Sequence, residues 1–432
     1  MVDLLKPGDS IYHSSLINAK VLNIKDGQVE ISAIGHASIP LPVTDFGKTL
    51  YLKKEHYIQY PRFRNYKDYL ELCEKEQSEK RHKEELKKRA AIEMEERRNE
   101  HQNSLTQERN EREYNRFLKI LRSKGDFDGL YHYTDFTNFI KIMECGKLYS
   151  RNKAKQKDFL DGAEKTVLMR TDPKTFDYVR LYYKEKTPTT YENEGIKMDN
   201  SHPHMPLPVI LLFNEEIMRL PKRLMTNIWA GSDEKVATKN YSIASKFKWE
   251  SIFHRSPMRE AEKKSIKLSR HAEFLVEDEL DLKYLKKIIF RSQADKKMGE
   301  ALLGKNALFH VDIEKKKFNR HHNFLDDYSV KIEEKYYDLE LTFHGGMIFE
   351  PLSSNIDSYT HQLKIAYSDK TNCCFDKEDW VEDPRIDFTE TYYDYKHTYN
   401  LRIKHDKINR PTKLEYFMNG HRSAIWEEDN NA

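Results

Sequence analysis

The sequence predicts an α+β protein built from four regions, and three observations carry that prediction. Apolar and polar residues alternate in short runs near both ends, as in VLNIKDGQVEISAIG from residue 21 and KYYDLELTF from residue 335, the two-residue period of half-buried strands. Between 65 and 124 there is neither Gly nor Pro, and most residues are strong helix formers. Between 125 and 303, apolar strand-like runs (LPVILLF, KKIIF) are interleaved with helix-like ones (TNFIKIMECG, YSIASKFKWESIF). A chain of 432 residues exceeds what one compact core usually holds. Hydrophobic residues make up 38% and charged residues 34%, and the apolar deficit is concentrated in the second region. The net charge of +3 is close to balance, which excludes a globally basic nucleic-acid binder and requires any anion-binding surface to be local.

Region 1–64 packs several short strands around the hairpin signal Asp26-Gly27, which predicts a small β-barrel of the SH3 or Tudor type. Such modules bind peptides or nucleic acid, or serve as adaptors, and the adaptor reading is preferred. Region 65–124 predicts a long charged helical spacer stabilised by opposite charges three and four residues apart. Its apolar positions (Leu72, Leu86, Ile92, Met94, Leu105) are too sparse for a heptad seam, so a solvated helix is favoured over a docking surface. Region 304–432 is rich in tyrosine and alternating patterns. Its KLEYFMNGHRSAIW stretch, with Asn419-Gly420 at the turn, is a hairpin in a β-rich accessory domain. Cys73, Cys145, Cys373 and Cys374 lack zinc-ligand spacing and read as reduced thiols. No signal core and no membrane-length apolar run is present, so a cytoplasmic location is expected, with no membrane partner and no metal.

Region 125–303 carries the chemistry. In the run GLYHYTDFTNFIKIMECG from residue 129, a strand would put His132 and Thr134 on one face and lead into a helix bearing Asn138 and ending at Gly146. Two polar side chains beside a helix N-terminus suit a polar or anionic ligand. Read alone, His132 is first of all a structural histidine with a satisfied partner. In 174–196, Phe176, Tyr178, Tyr182, Tyr183 and Tyr191 alternate with Arg180, Lys184 and Lys186. Rings that stack bases and cations that hold phosphates suit a single strand of nucleic acid, and an amphipathic strand with half-buried tyrosines fits equally. In 269–277 (SRHAEFLVE), Glu273 opens a strand otherwise apolar. A carboxylate there is costly unless paired or functional, and Arg270 and His271 are its nearest candidates as structural partners.

Taken together, these segments resemble the DarT family of ADP-ribosyltransferases, which modify nucleobases. The resemblance rests on Tyr131-His132, Asn138 and Gly146, then Asp177-Tyr178-Val179 and Tyr182, then Thr187-Pro188 and Tyr191, then Ala272-Glu273-Phe274-Leu275-Val276. It covers roughly the third region. It implies an ADP-ribosyltransferase-like split β-sheet core over 125–303 and NAD as the substrate. It further implies that His132, Thr134 and Asn138 hold the adenosine or nicotinamide-ribose part and that Glu273 is the catalytic carboxylate. Arg151 and Arg170 are both candidates for the pyrophosphate, and Tyr178, Tyr182, Lys186 and Tyr191 would hold single-stranded DNA or RNA. Where the family carries a catalytic histidine, this chain has MTNIWAGSDEKVA and offers Asn227 and Trp229.

The resemblance also implies a toxin of a toxin–antitoxin or phage-defence system, with an antitoxin or a macrodomain-type reversing partner. The rival readings are an ADP-ribosyltransferase acting on protein, and a non-catalytic nucleic-acid or partner-binding protein in which Glu273 is an ion pair and His132 a core residue. NAD hydrolysis without an acceptor fits as a side activity.

Overall fold

The computed structural model describes residues 7–13, 16, 19–26, 28–33, 36–45, 50–51, 66–125, 127–161, 169, 171–197, 205–255, 258–308, 310–319, 323–344, 356, 358–393, 396–405 and 409–428. The chain divides into two compact units, Met1–Glu108 and Arg109–Ala432.

In the first unit, β1 (Ser10–His13), β2 (Ala19–Lys25), β3 (Gln28–Ala33), β4 (His36–Pro42) and β5 (Leu50–Tyr51) form one sheet in the order β4-β3-β2-β1-β5. The predicted hairpin is present. Lys25 faces Gln28 across a two-residue loop, and Asp26 takes the left-handed conformation with φ 51°; Gly27 lies outside the described residues. The small core joins Ile11, Val21, Val29, Ile31 and Leu50 to Tyr69 and Cys73 at the start of helix α1 (Tyr66–Lys124). Among the described residues the edge strands β4 and β5 do not pair with each other. The described residues thus form a five-stranded sheet, and the small SH3- or Tudor-type barrel expected here is not confirmed.

Most of α1 is solvated, with i,i+4 ion pairs such as Glu85–Arg89 and Glu93–Arg97. Its last turns differ. Tyr114, Phe117, Leu118 and Leu121 recur at helical spacing and are buried in the core of the second unit, where the Phe117 ring meets Trp249 at 5.5 Å. These turns are part of a core, which the reading of a purely solvated helix missed.

The second unit is built on an eight-stranded mixed sheet. Its strands are β6 (Leu130–Asp135), β8 (Tyr178–Tyr182), β9 (Pro208–Phe213), β10 (Arg223–Thr226), β11 (Ala237–Thr238), β12 (Glu273–Glu277), β14 (Leu285–Phe290) and β15 (Val311–Ile313), in the order β11-β10-β12-β8-β6-β9-β14-β15. The short strands β7 (Lys147–Tyr149) and β13 (Glu279–Asp281) pair with each other at its side. Helices α2 (Phe136–Cys145), α3 (Arg151–Lys155), α4 (Pro188–Asn193), α5 (Glu260–Ser269) and α6 (Gln293–Leu303) surround it.

Helix α2 starts where the Asp135 carboxylate accepts from the Thr137 N–H and stops at Gly146, whose φ of 69° is the left-handed cap expected there. Gly129 is obligatory for a different reason. Its φ is 149°, and a Cβ would come within 2.3 Å of the Phe213 carbonyl oxygen, so only glycine lets β6 enter beside β9.

The remaining strands form two four-stranded antiparallel sheets. One contains β16 (Phe324–Ile332), β17 (Tyr336–His344), β20 (Ile386–Tyr393) and β21 (Lys396–Lys404), in the order β16-β17-β21-β20. The other contains β18 (His361–Tyr367), β19 (Asn372–Asp376), β22 (Pro411–Met418) and β23 (His421–Glu427), in the order β19-β18-β22-β23. They meet through aromatic side chains, with Phe343 at 6.0 Å from Tyr416 and Tyr337 at 5.6 Å from Trp426. None of the four cysteines forms a disulfide among the described residues. Among the described residues no helix is long and apolar enough to cross a membrane.

Candidate active site

The central sheet is split at one point. β6 pairs along its whole length with β9, but touches β8 through the single pair Tyr131–Tyr182. β8 in turn pairs fully with β12, and Tyr182 stands opposite Glu273. One row across three adjacent strands therefore reads Glu273, Tyr182, Tyr131. Immediately past that row β6 and β8 part, and the gap opens into a cleft of about 980 Å³, the size of a cofactor or dinucleotide site.

His132 sits at the parting. Its Nδ1 lies 3.0 Å from the Arg180 carbonyl, taking the place of a strand–strand hydrogen bond across the split. Burial lowers its pKa to about 4, against a smaller opposing effect of that carbonyl. The ring is therefore neutral at physiological pH. Because a carbonyl only accepts, Nδ1 carries the proton and Nε2 remains an acceptor. Thr134, on the same face, is buried and lines the cleft.

Glu273 has no exposed surface. Its Oε2 accepts from the Ala230 N–H at 2.8 Å, while Oε1 makes no hydrogen bond and lies 3.8 Å from Arg180 Nη1. Desolvation raises its pKa, and Arg180, the Ala230 N–H and the Tyr182 hydroxyl only partly offset this. Arg180 is itself aimed by a 2.8 Å bond to Thr175. Arg270 and His271, expected as partners of Glu273, turn elsewhere: Arg270 donates to the Lys186 carbonyl, and His271 Nδ1 meets the Thr189 hydroxyl at 3.1 Å. Glu273 does not line the cleft itself. Arg180, Tyr182 and Trp229 do, and they form the wall in front of it.

The segment 227–236 supplies the Trp229 part of that wall. Thr226 Oγ1 bonds both the N–H and the carbonyl of Glu273, at 2.9 and 3.1 Å, and the chain then folds back with the Val236 N–H on Asn227 Oδ1 at 2.8 Å. Asn227 thus holds the loop together, and Trp229 faces the cleft.

Other predicted residues divide. Asn138 lines the cleft, but its amide is closed onto the backbone of Leu160 from both sides, at 2.9 and 2.8 Å, so it fixes the loop that carries Phe159 and Asp161. Arg151 lines the cleft, pairs with Asp161 at 2.9 Å and lies 5.4 Å from the centre of the Phe176 ring. Arg170 lies outside the described residues. Tyr178 and Tyr182 line the cleft. Lys186 and Tyr191 do not, and Tyr191 is 59% exposed on α4. Arg180 is the residue that sequence reasoning undervalued. It was grouped with the phosphate-holding cations, although its two-residue spacing from Tyr178 and Tyr182 already placed it on their face. Among the described residues no three His, Cys, Asp or Glu side chains gather as metal ligands.

A ligand-sized cleft walled by arginine and aromatic rings, with a buried carboxylate of raised pKa directly behind, is the arrangement of an enzyme rather than of a binding module. Residues 131–322, less than half of the chain, match the family model described as ssDNA thymidine ADP-ribosyltransferase, DarT, a family of NAD-dependent ADP-ribosyltransferases. Similar solved structures include the DarT of Thermus sp. 2.9 in complex with ADP-ribosylated ssDNA, at 18% identity and a TM-score of 0.36, covering 44% of this chain and 95% of that one. The same protein in complex with NAD+ gives 19% identity and a TM-score of 0.35, over 44% and 96% of the two chains. The DarTG of Thermosipho africanus in complex with ADP-ribose gives 18% and 0.36, over 46% of this chain and 52% of that one. No curated protein sequence matches the chain.

Proposed function

We propose that the chain transfers ADP-ribose from NAD to a base of single-stranded DNA, using the cleft between β6 and β8. The observation that carries this is Glu273 in register with Tyr182, beside Arg180 and two strands from His132, within the segment that matches the DarT model. In the reaction the bond between ribose C1′ and the nicotinamide nitrogen breaks, and its electron pair leaves with neutral nicotinamide. The electron-poor sugar is then attacked by a base nitrogen, whose proton passes to the Glu273 carboxylate. That carboxylate also balances the positive charge that develops on the ribose.

The residues present suit these tasks. Arg151 and Lys155 stand on the same wall as Phe159 and Phe176, where a guanidinium and aromatic faces can take a pyrophosphate and an adenine. Neutral His132 offers an acceptor to a ribose hydroxyl. Tyr178 and Tyr182 supply rings for stacking. Since Glu273 is fully buried and does not line the cleft, productive binding requires the side chains in front of it to shift and uncover it.

The family's description names ssDNA; RNA is the second acceptor to be tested, and a toxin role with an antitoxin or macrodomain-type reverser follows from the same reading. Mass spectrometry of DNA and RNA oligonucleotides after incubation with the protein and NAD tests the reading. An ADP-ribose adduct on a DNA base is the expected result; no adduct on either strand overturns it.

A further inference from the structure

The C-terminal strands reach the cleft. His421, the first residue of β23, lines the same cavity as His132, Arg180 and His271, although it lies far beyond residue 322, where the family match ends. Its place is fixed by a rigid turn. Asn419 and Gly420 both take left-handed conformations, with φ 47° and 74°, and Asn419 exchanges backbone and side-chain bonds with Thr360 at 2.9 and 2.7 Å.

The same hairpin, together with Tyr359 just before β18, holds the strip that follows α4. Asn419 Nδ2 donates to the Lys197 carbonyl at 3.1 Å, and Tyr359 donates to the Ile196 carbonyl at 3.3 Å. Just before them Asn319 donates twice to Glu194 Oε2, at 3.0 and 2.9 Å. Helix α4 in turn presents Thr189, Thr190 and Glu192 to the cleft. Beside it, α5 contributes Leu268 to the lining, and its Lys267 pairs with Glu192 at 3.2 Å. The cations placed for a pyrophosphate stand on a different element, α3. The wall formed by α4, α5 and the hairpin is thus the one left for an acceptor.

We infer that the β22–β23 hairpin is a wall of the acceptor groove and that His421 contacts the bound single strand of nucleic acid. This rests on the ADP-ribosyl-transfer reading above. It makes the C-terminal strands part of substrate recognition rather than a separate module. An imidazole in this position stacks on a base and hydrogen-bonds a base edge, both common in single-strand recognition.

The test uses the full chain and a fluorescein-labelled single-stranded DNA of about twelve nucleotides, read by anisotropy. His421→Ala should weaken binding about tenfold and raise KM for the oligonucleotide, with His421→Phe restoring much of the loss through stacking. Thermal stabilisation by NAD should stay as in the wild type. A His421→Ala protein that binds the strand as tightly as wild type overturns the inference, as does one in which NAD stabilisation falls together with strand binding. A wild type that neither binds the strand nor transfers label from NAD sinks the transfer reading and this inference with it. A wild type that transfers label while His421→Ala leaves strand affinity and KM untouched sinks the inference alone.

Discussion

Glu273, the proposed catalytic carboxylate, carries a burial cost in the same side chain. Desolvation raises its pKa, so burial works against the carboxylate that the proposed reaction needs. Glu273→Gln should therefore lower label transfer from NAD about a hundredfold or more, while its melting temperature at neutral pH does not fall below that of the wild type. A second buried carboxylate gives a cleaner pH signature. Burial pushes Glu194 up from 4.5 to about 7 despite two donors from Asn319. For an acid with a raised folded pKa, the stabilisation is complete below the unfolded value and is lost as pH rises through the folded one. Melting temperature should accordingly drop between about pH 4.5 and 7, a slope that Glu194→Gln flattens. His132 and His271 act at the acid end. Both are lowered to about 4 from 6.5, so their contribution is present above 6.5 and lost as pH falls toward 4.

Among the elements, α4 is short and depends on its first turn. Thr187 is buried and forms a reciprocal capping box with Thr190. Thr187→Ala should cost about 1 kcal/mol in denaturant unfolding, and Thr187→Ser much less. The strands around the site were legible in the sequence because a two-residue period places His132 with Thr134 and starts β12 at Glu273 whatever the tertiary context. The helix stop at Gly146 and the Asn419-Gly420 turn were legible because their backbone conformations admit few residue types. Lys186 and Tyr191 are expected, with Tyr178 and Tyr182, to hold a single strand of nucleic acid. The chain leaves β8 at Tyr182 and enters α4 at Pro188, and neither residue lines the cleft. The burial of Tyr114, Phe117, Leu118 and Leu121 could have been read from their helical spacing, but the surrounding charge masked it.

Over the whole molecule, the two units have separate cores. Tyr69 and Cys73 belong to the first, and the residues from Tyr114 onward to the second. Between Cys73 and Tyr114, α1 exposes Leu86, Ile92, Met94 and Leu105 to solvent, and these residues belong to neither core. Calorimetry should resolve two unfolding transitions, the smaller from 1–108, and saturating NAD should raise only the larger. The arrival of His421 at the cleft was not readable from the chain, because it depends on how two distant sheets pack and not on any local pattern. The lone Tyr131–Tyr182 pair has an effect on solvent exchange. Beyond it, amides of β6 and β8 that point into the gap have no ladder partner in the opposite strand. These sites should take up deuterium quickly in the free protein and slow when a dinucleotide fills the gap, which makes the backbone itself a label-free reporter of occupancy.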